Sequence, residues 1–364
     1  MAPFFCKKRL LSNLITEQFR NTCHAIAEPK STFMINPLQF PAPQAADEDL
    51  LNSLHQLVHS LDTRYRSDTE DLIQKIALLP HDHRIPPLVF AWYRELALET
   101  LYTTSETPVI KVGMGALGSS LLNWQGLKPD EILIVTPDDD QSPYDSDGWS
   151  KLLNEGTDGR LNIEAPGDDE FQIFLEKVTD ALTLFETHAA GDYAEWRQAM
   201  RMIVAVRQCE DSEIGLAGGS SLFLPGVMVV NVQYCDTTAN TLATLVHEAA
   251  HVRLNSLCGH EPLALNAPDA RYTSPLRSDG RPMEGVIHAT FVCATIVDLF
   301  SRIAAQLEDK KMVADYLQIA NAHREPVGVH REQIATEGEL TPGGEQVLAF
   351  IRAVDDTYPT TPQD

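Results

Sequence analysis

The stretch Thr241-Leu-Ala-Thr-Leu-Val-His247-Glu248-Ala-Ala-His251-Val-Arg-Leu-Asn255 restricts this chain more than any other part of it. Its residues favour a helix, and its two histidines are four positions apart. At that spacing both imidazoles project from one helix face, one turn apart. Leu242, Leu245, Val246, Ala249, Ala250, Val252 and Leu254 surround them, so the helix is expected to be buried. Imidazoles in an apolar setting need polar partners, and one metal ion serves both. The letters H-E-x-x-H are those of a metal-binding helix whose glutamate stands beside the ion. The plain alternative is a pair of core histidines satisfied by hydrogen bonds.

Two histidines rarely complete a metal site. Glu284 and His288 are the candidates for a third ligand, and their own i, i+4 spacing lets both face the first helix. With Glu284 the site becomes the His₂Glu set of zinc peptidases or the 2-His-1-carboxylate set of non-haem iron oxygenases. With His288 it becomes a three-histidine site. Only one need bind, while the other holds a ligand histidine from behind. Donor chemistry alone leaves the choice open, and Glu284 can equally be an acidic residue favoured at a helix N-terminus. Arg277 and Arg281 come just before this second segment. A guanidinium grips a carboxylate through two parallel hydrogen bonds, so either can hold an anionic cosubstrate, or simply form a salt bridge.

Composition narrows the partners. The 364 residues are 43% hydrophobic and 22% charged, a soluble globular profile. A net charge of −24 argues against binding a nucleic-acid backbone or an anionic membrane. The six cysteines include no C-x-x-C pair and read as reduced thiols of a cytoplasmic protein. Cys258 and Cys293, near the motif segments, read as small core residues. The N-terminus has no secretory pattern, and no run of 18 apolar residues predicts a membrane span.

Along the chain, apolar spacing predicts an amphipathic helix over 8–27, a Pro-rich linker over 28–47 and helical segments over 47–79 ended by Pro80. A buried helix is expected over 86–102. His55 and His59 lack an acidic companion and read as surface residues. Val109–Val112 and Ile132–Val135 read as strands. Gly113-Met-Gly115-Ala-Leu-Gly118 matches G-x-G-x-x-G, but in poor context, so glycine turns are preferred. The acidic stretch containing Asp138, Asp139, Asp140, Asp145 and Asp147 lacks the spacing of a calcium loop. Helices are expected over 168–189 and 192–209. A strand pair or bent strand around Pro225-Gly226 follows, where an edge can align an extended peptide. A loop is expected over 258–282, then a strong helix from Met283 and further helices near 309–324 and 343–354.

The sum is an α+β protein, mostly helical, with a small antiparallel sheet packed beside the H-E-x-x-H helix. The expected division is an N-terminal helical region (1–105), a metal-binding catalytic domain (106–357) and a disordered tail (358–364).

The segment His247-Glu-Ala-Ala-His251-x-Arg-Leu-Asn255, followed by Ser274-Pro-Leu-Arg277-x-Asp-x-Arg281-Pro-Met-Glu-Gly-Val-Ile-His288, resembles the HExxH-motif family of peptide-modifying proteins. These accompany pathways for ribosomally made peptides. The resemblance covers about 220–300, and R-P-x-x-G-x-x-H is its more specific half. The family includes iron(II)- and 2-oxoglutarate-dependent hydroxylases that lack the usual double-stranded β-helix and act on β-carbons of amino-acid side chains. The resemblance implies His247, His251 and His288 as iron ligands, with Glu284 as runner-up. It implies that Arg277 or Arg281 binds the 2-oxoglutarate carboxylate and that Glu248 orients substrate or water. The substrate would be an amino acid, free, within a precursor peptide or on a carrier protein. Two rivals remain. A zinc hydrolase would use His247, His251 and Glu284 as ligands and Glu248 as general base. A non-catalytic module would bind a peptide or carrier.

Overall fold

Met202-Ile-Val-Ala-Val-Arg-Gln208 sits where the sequence suggested the end of a helix over 192–209. A fully apolar run looks the same whether it is a buried helix or a central strand. In the computed structural model the helix stops at Ala199, and Met202–Gln208 is a strand whose first five residues are all buried. Its β-branched residues and its burial on both faces suit the middle of a sheet.

The structure describes residues 45–57, 63–80, 83–102, 126–155, 159–258, 261–274 and 277–359. The helix expected over 8–27, the strand at Val109–Val112, the Gly113–Gly118 run, His59 and the division near 105 lie outside these residues. The described chain forms two compact units. One holds the residues up to Glu176 together with Glu195–Tyr234, and the other holds Lys177–Ala194 together with everything from Cys235 on.

The first unit contains helices α1 (Ala45–Leu57), α2 (Thr63–Ala77), α3 (Pro87–Tyr102) and α4 (Ser146–Asn154). Its strands are β1 (Leu133–Val135), β2 (Ile163–Glu164), β3 (Met202–Gln208), β4 (Gly218–Ser220) and β5 (Val227–Asn231). The sheet order is β1-β3-β5-β4, with β2 also pairing with β3. The β1-β3-β5 spine is parallel, and β2 and β4 are antiparallel additions at its margins. The expected strand pair near Pro225-Gly226 is β4 and β5. Gly226 has φ 77°, and Val227 N–H donates to Leu224 O at 3.1 Å, a turn with proline and then a left-handed glycine at its centre. The acidic stretch is structural: Asp145 caps α4 by accepting from Gly148 N–H, and Asp139 accepts from Gln141 N–H.

Helices α5 (Asp168–His188) and α6 (Ala190–Ala199) carry the chain out of the first unit and back. The second unit continues with α7 (Thr238–Cys258), β6 (Tyr272–Ser274), β7 (Arg277–Arg281), α8 (Met283–Ala304), α9 (Lys310–Glu337) and α10 (Pro342–Thr357). The stretch expected as a loop over 258–282 thus contains an antiparallel hairpin, β6–β7, which leads into α8. Its polar strand Arg277-Ser-Asp-Gly-Arg281 has no apolar alternation to announce it.

Helix α8 is the centre of this unit, with α7, α9, α10 and the hairpin packed on it. Ile287, Phe291, Val292, Cys293, Ala294, Ile296 and Phe300 are all buried. Among the described residues α8 is the one helix long and apolar enough to cross a membrane, but 78% of its most apolar window is enclosed by the fold, as in a core helix. Helix α9 runs past Pro326 to Glu337, beyond the end expected near 324. Proline removes one backbone donor, but Val327, His330 and Ile334 on the following turns are buried and hold the helix together. The fold is α+β and mostly helical, and its sheets do not close into a barrel.

Candidate metal centre

The second unit carries His247, His251 and His288 on two helices in contact. Both motif histidines lie near the middle of α7, and His288 lies in the second turn of α8. The His247 and His251 ring centres are 5.1 Å apart, and those of His251 and His288 are 6.0 Å apart with planes inclined by 21°. Imidazoles sharing one metal through nitrogens at about 2.1 Å have ring centres roughly 4.5–5.5 Å apart. The first pair falls in that range and the second is slightly wider. Among the described residues no three His, Cys, Asp or Glu groups already converge at full ligand distance. The donor set nevertheless suits a metal: three imidazoles from facing helices, all retaining some solvent exposure.

Their electrostatics favour the ligand form. Burial, helped by charge on His251 and His323, pushes the His247 pKa down to about 3. Burial also pushes His251 to about 3 and His288 to about 4, with Arg281 disfavouring a proton on either ring. Neutral imidazole is the form that donates a lone pair to a metal.

Glu284 is placed differently. It lies in the first turn of α8, and its carboxylate accepts from Leu263 N–H at 3.2 and 3.1 Å and from Ala264 N–H at 3.2 Å. The same segment is held from its other side. Thr341 N–H donates to Leu263 O at 3.0 Å, and Leu265 N–H donates to Glu339 O at 2.7 Å. Glu284 is therefore part of a latch joining the start of α8, the 263–265 segment and the start of α10. Glu248, one residue beyond His247, is 4% exposed.

Arg281 ends β7, paired across the hairpin with Tyr272, and its positive charge reaches His251 and His288. Arg277 begins β7, and its side chain lies outside the described part. His323 on α9 is a site neighbour that the sequence did not reveal, because its helix is remote in sequence from the motif. Its Nδ1 is 2.8 Å from Ile319 O, and its charge disfavours a proton on His247. Cys293 is a buried core thiol whose pKa burial raises to about 12, and His55 on α1 is exposed.

No known family model matches the chain, and no curated protein matches it at a significant level.

Proposed function

We propose that the second unit holds an iron(II)- and 2-oxoglutarate-dependent oxygenase centre that hydroxylates a C–H, at a β-carbon, of an amino-acid residue. The observation carrying this reading is the grouping of three neutral imidazoles with the Arg281 charge beside two of them. The two parallel N–H donors of a guanidinium match a carboxylate, so an anion bound to a metal beside these imidazoles has a bidentate partner in Arg281. A 2-oxo dicarboxylate supplies that anion.

In this reading His247, His251 and His288 hold the metal. Iron(II) with 2-oxoglutarate and dioxygen supplies oxidation of a C–H to an alcohol, with succinate and carbon dioxide as co-products. Arg281 pairs with a carboxylate of the cosubstrate and fixes its orientation. Glu248 orients substrate or water, and Glu284 keeps the 263–265 segment in place. The substrate is an amino-acid residue, free, peptide-borne or carrier-bound.

The test is a ferrous titration of the whole chain without oxygen, followed by addition of 2-oxoglutarate. A weak visible charge-transfer band that is lost in His288→Ala, with succinate formed once air is admitted, supports the proposal. Tightly held stoichiometric zinc, no such band and zinc-dependent peptide cleavage would replace it with a hydrolase.

A further inference from the structure

The first turn of α8 contains a glycine, Gly285, in Met283-Glu-Gly-Val. Glycine is a poor helix residue, and the described glycines with left-handed φ are Gly159 and Gly226, so backbone conformation does not require it here. Its surroundings do give a reason. A Cβ at position 285 would meet Arg281 first: Nε at 3.3 Å, Cβ at 3.4 Å and Cζ at 3.6 Å, the three nearest heavy atoms. The Arg281 side chain therefore lies across the bare first turn of α8. His288 is three residues further along, on the same side of the helix. The Arg281 backbone has little freedom to adjust, being paired with Tyr272 on one side and followed by Pro282 at φ −56° on the other.

From this geometry we infer that Gly285 is a positioning residue, whose missing side chain lets the Arg281 side chain lie along the first turn of α8, one turn before His288, where its guanidinium receives the carboxylate of an anionic ligand. The inference rests on the oxygenase reading for the identity of that ligand, but not for the seating of Arg281. It explains the glycine of R-P-x-x-G-x-x-H physically. The strand end supplies the arginine, the proline fixes the corner, the glycine clears the path and the histidine is one turn on.

The test is a set of Gly285→Ala and Gly285→Val variants, each made with Arg281 present and with Arg281→Gln. Two affinities are read, for 2-oxoglutarate on the ferrous protein and for cobalt(II) alone at low salt, together with the thermal midpoint. With Arg281 present, Gly285→Val is expected to weaken 2-oxoglutarate binding by about tenfold or more, and Gly285→Ala by less. Gly285→Ala should not lower the thermal midpoint, because alanine is the better helix former. Removing or displacing the guanidinium should tighten cobalt binding roughly three- to tenfold, since two like charges no longer share the site. With Arg281→Gln, substitutions at 285 should change neither affinity further. Equal effects of Gly285→Val in both backgrounds, or none in either, would overturn the inference. If the wild type binds no 2-oxoglutarate while the cobalt affinities still show the dependence on Arg281, the oxygenase reading fails and the seating of Arg281 stands.

Discussion

Glu284 is the residue on which the ligand set turns, and substituting it separates the possibilities. Its carboxylate accepts from two backbone donors, Leu263 N–H and Ala264 N–H, over contacts of 3.1–3.2 Å. A hydrogen bond to a charged group contributes about 1.5–3 kcal/mol when short and enclosed. These are long, and Glu284 keeps some solvent exposure, so about 0.5–1 kcal/mol each is the better figure. Glu284→Ala should then cost about 1–2 kcal/mol of stability, and Glu284→Gln, which keeps one acceptor oxygen, about half of that. The loss should be felt at the start of α10, because Leu263 also accepts from Thr341 N–H. Metal affinity should change little, by less than about threefold for Glu284→Gln, whereas His288→Ala should cost at least about a hundredfold. The assays are urea unfolding midpoints of the metal-free protein and cobalt(II) titrations of the same samples. A glutamine variant of unchanged stability that loses tenfold or more in metal affinity would make Glu284 the ligand and refute the latch.

Two further outcomes follow from the same structure. The three site histidines stay neutral in the fold down to about pH 4, whereas in the unfolded chain they take up protons near pH 6.5. Below pH 6.5 the unfolded state therefore binds more protons, and metal-free stability should fall with pH, by at most about 2 kcal/mol per histidine at pH 5, and stay level above pH 7.5. Replacing His288 by glutamine should make the fall shallower, and a profile equally steep in both proteins would count against this. In the first unit, a Cβ at Gly226 would lie 2.7 Å from Ala199 O in a left-handed backbone, so Gly226→Ala should cost about 2–3 kcal/mol of stability by urea unfolding, while a loss under about 0.5 kcal/mol would show that the turn relaxes freely.

Much of the site's framework could be read from local chemistry. The i, i+4 histidines of α7 and the start of α8 at Pro282-Met283 depend on interactions within one or two turns, so spacing and proline placement announce them. The same holds for the turn at Pro225-Gly226. Where a run could satisfy two structures, local reading failed. Met202–Val206 has no periodicity that separates a helix from a central strand, and pairing with β1 and β5 settled it. Hairpin β6–β7 is polar and was not visible as strands, while Pro326 suggested a helix end that packing of the following turns overrode.

The sequence by itself determined that two imidazoles would share one helix face, that a second helix would present Glu284 and His288, and that arginine would stand just before it. The first two follow from helix periodicity and the placement of Pro282, and the third from the order of residues alone. Where the Glu284 and His288 side chains go was left to the tertiary structure, because both spacings satisfy the same helix. The deciding contacts come from elsewhere in the chain. The amides of Leu263 and Ala264 take the Glu284 carboxylate, and the packing of α7 on α8 brings the His288 ring to His251. His323 entered the site for the same reason, since proximity across packed helices leaves no periodic trace in the sequence.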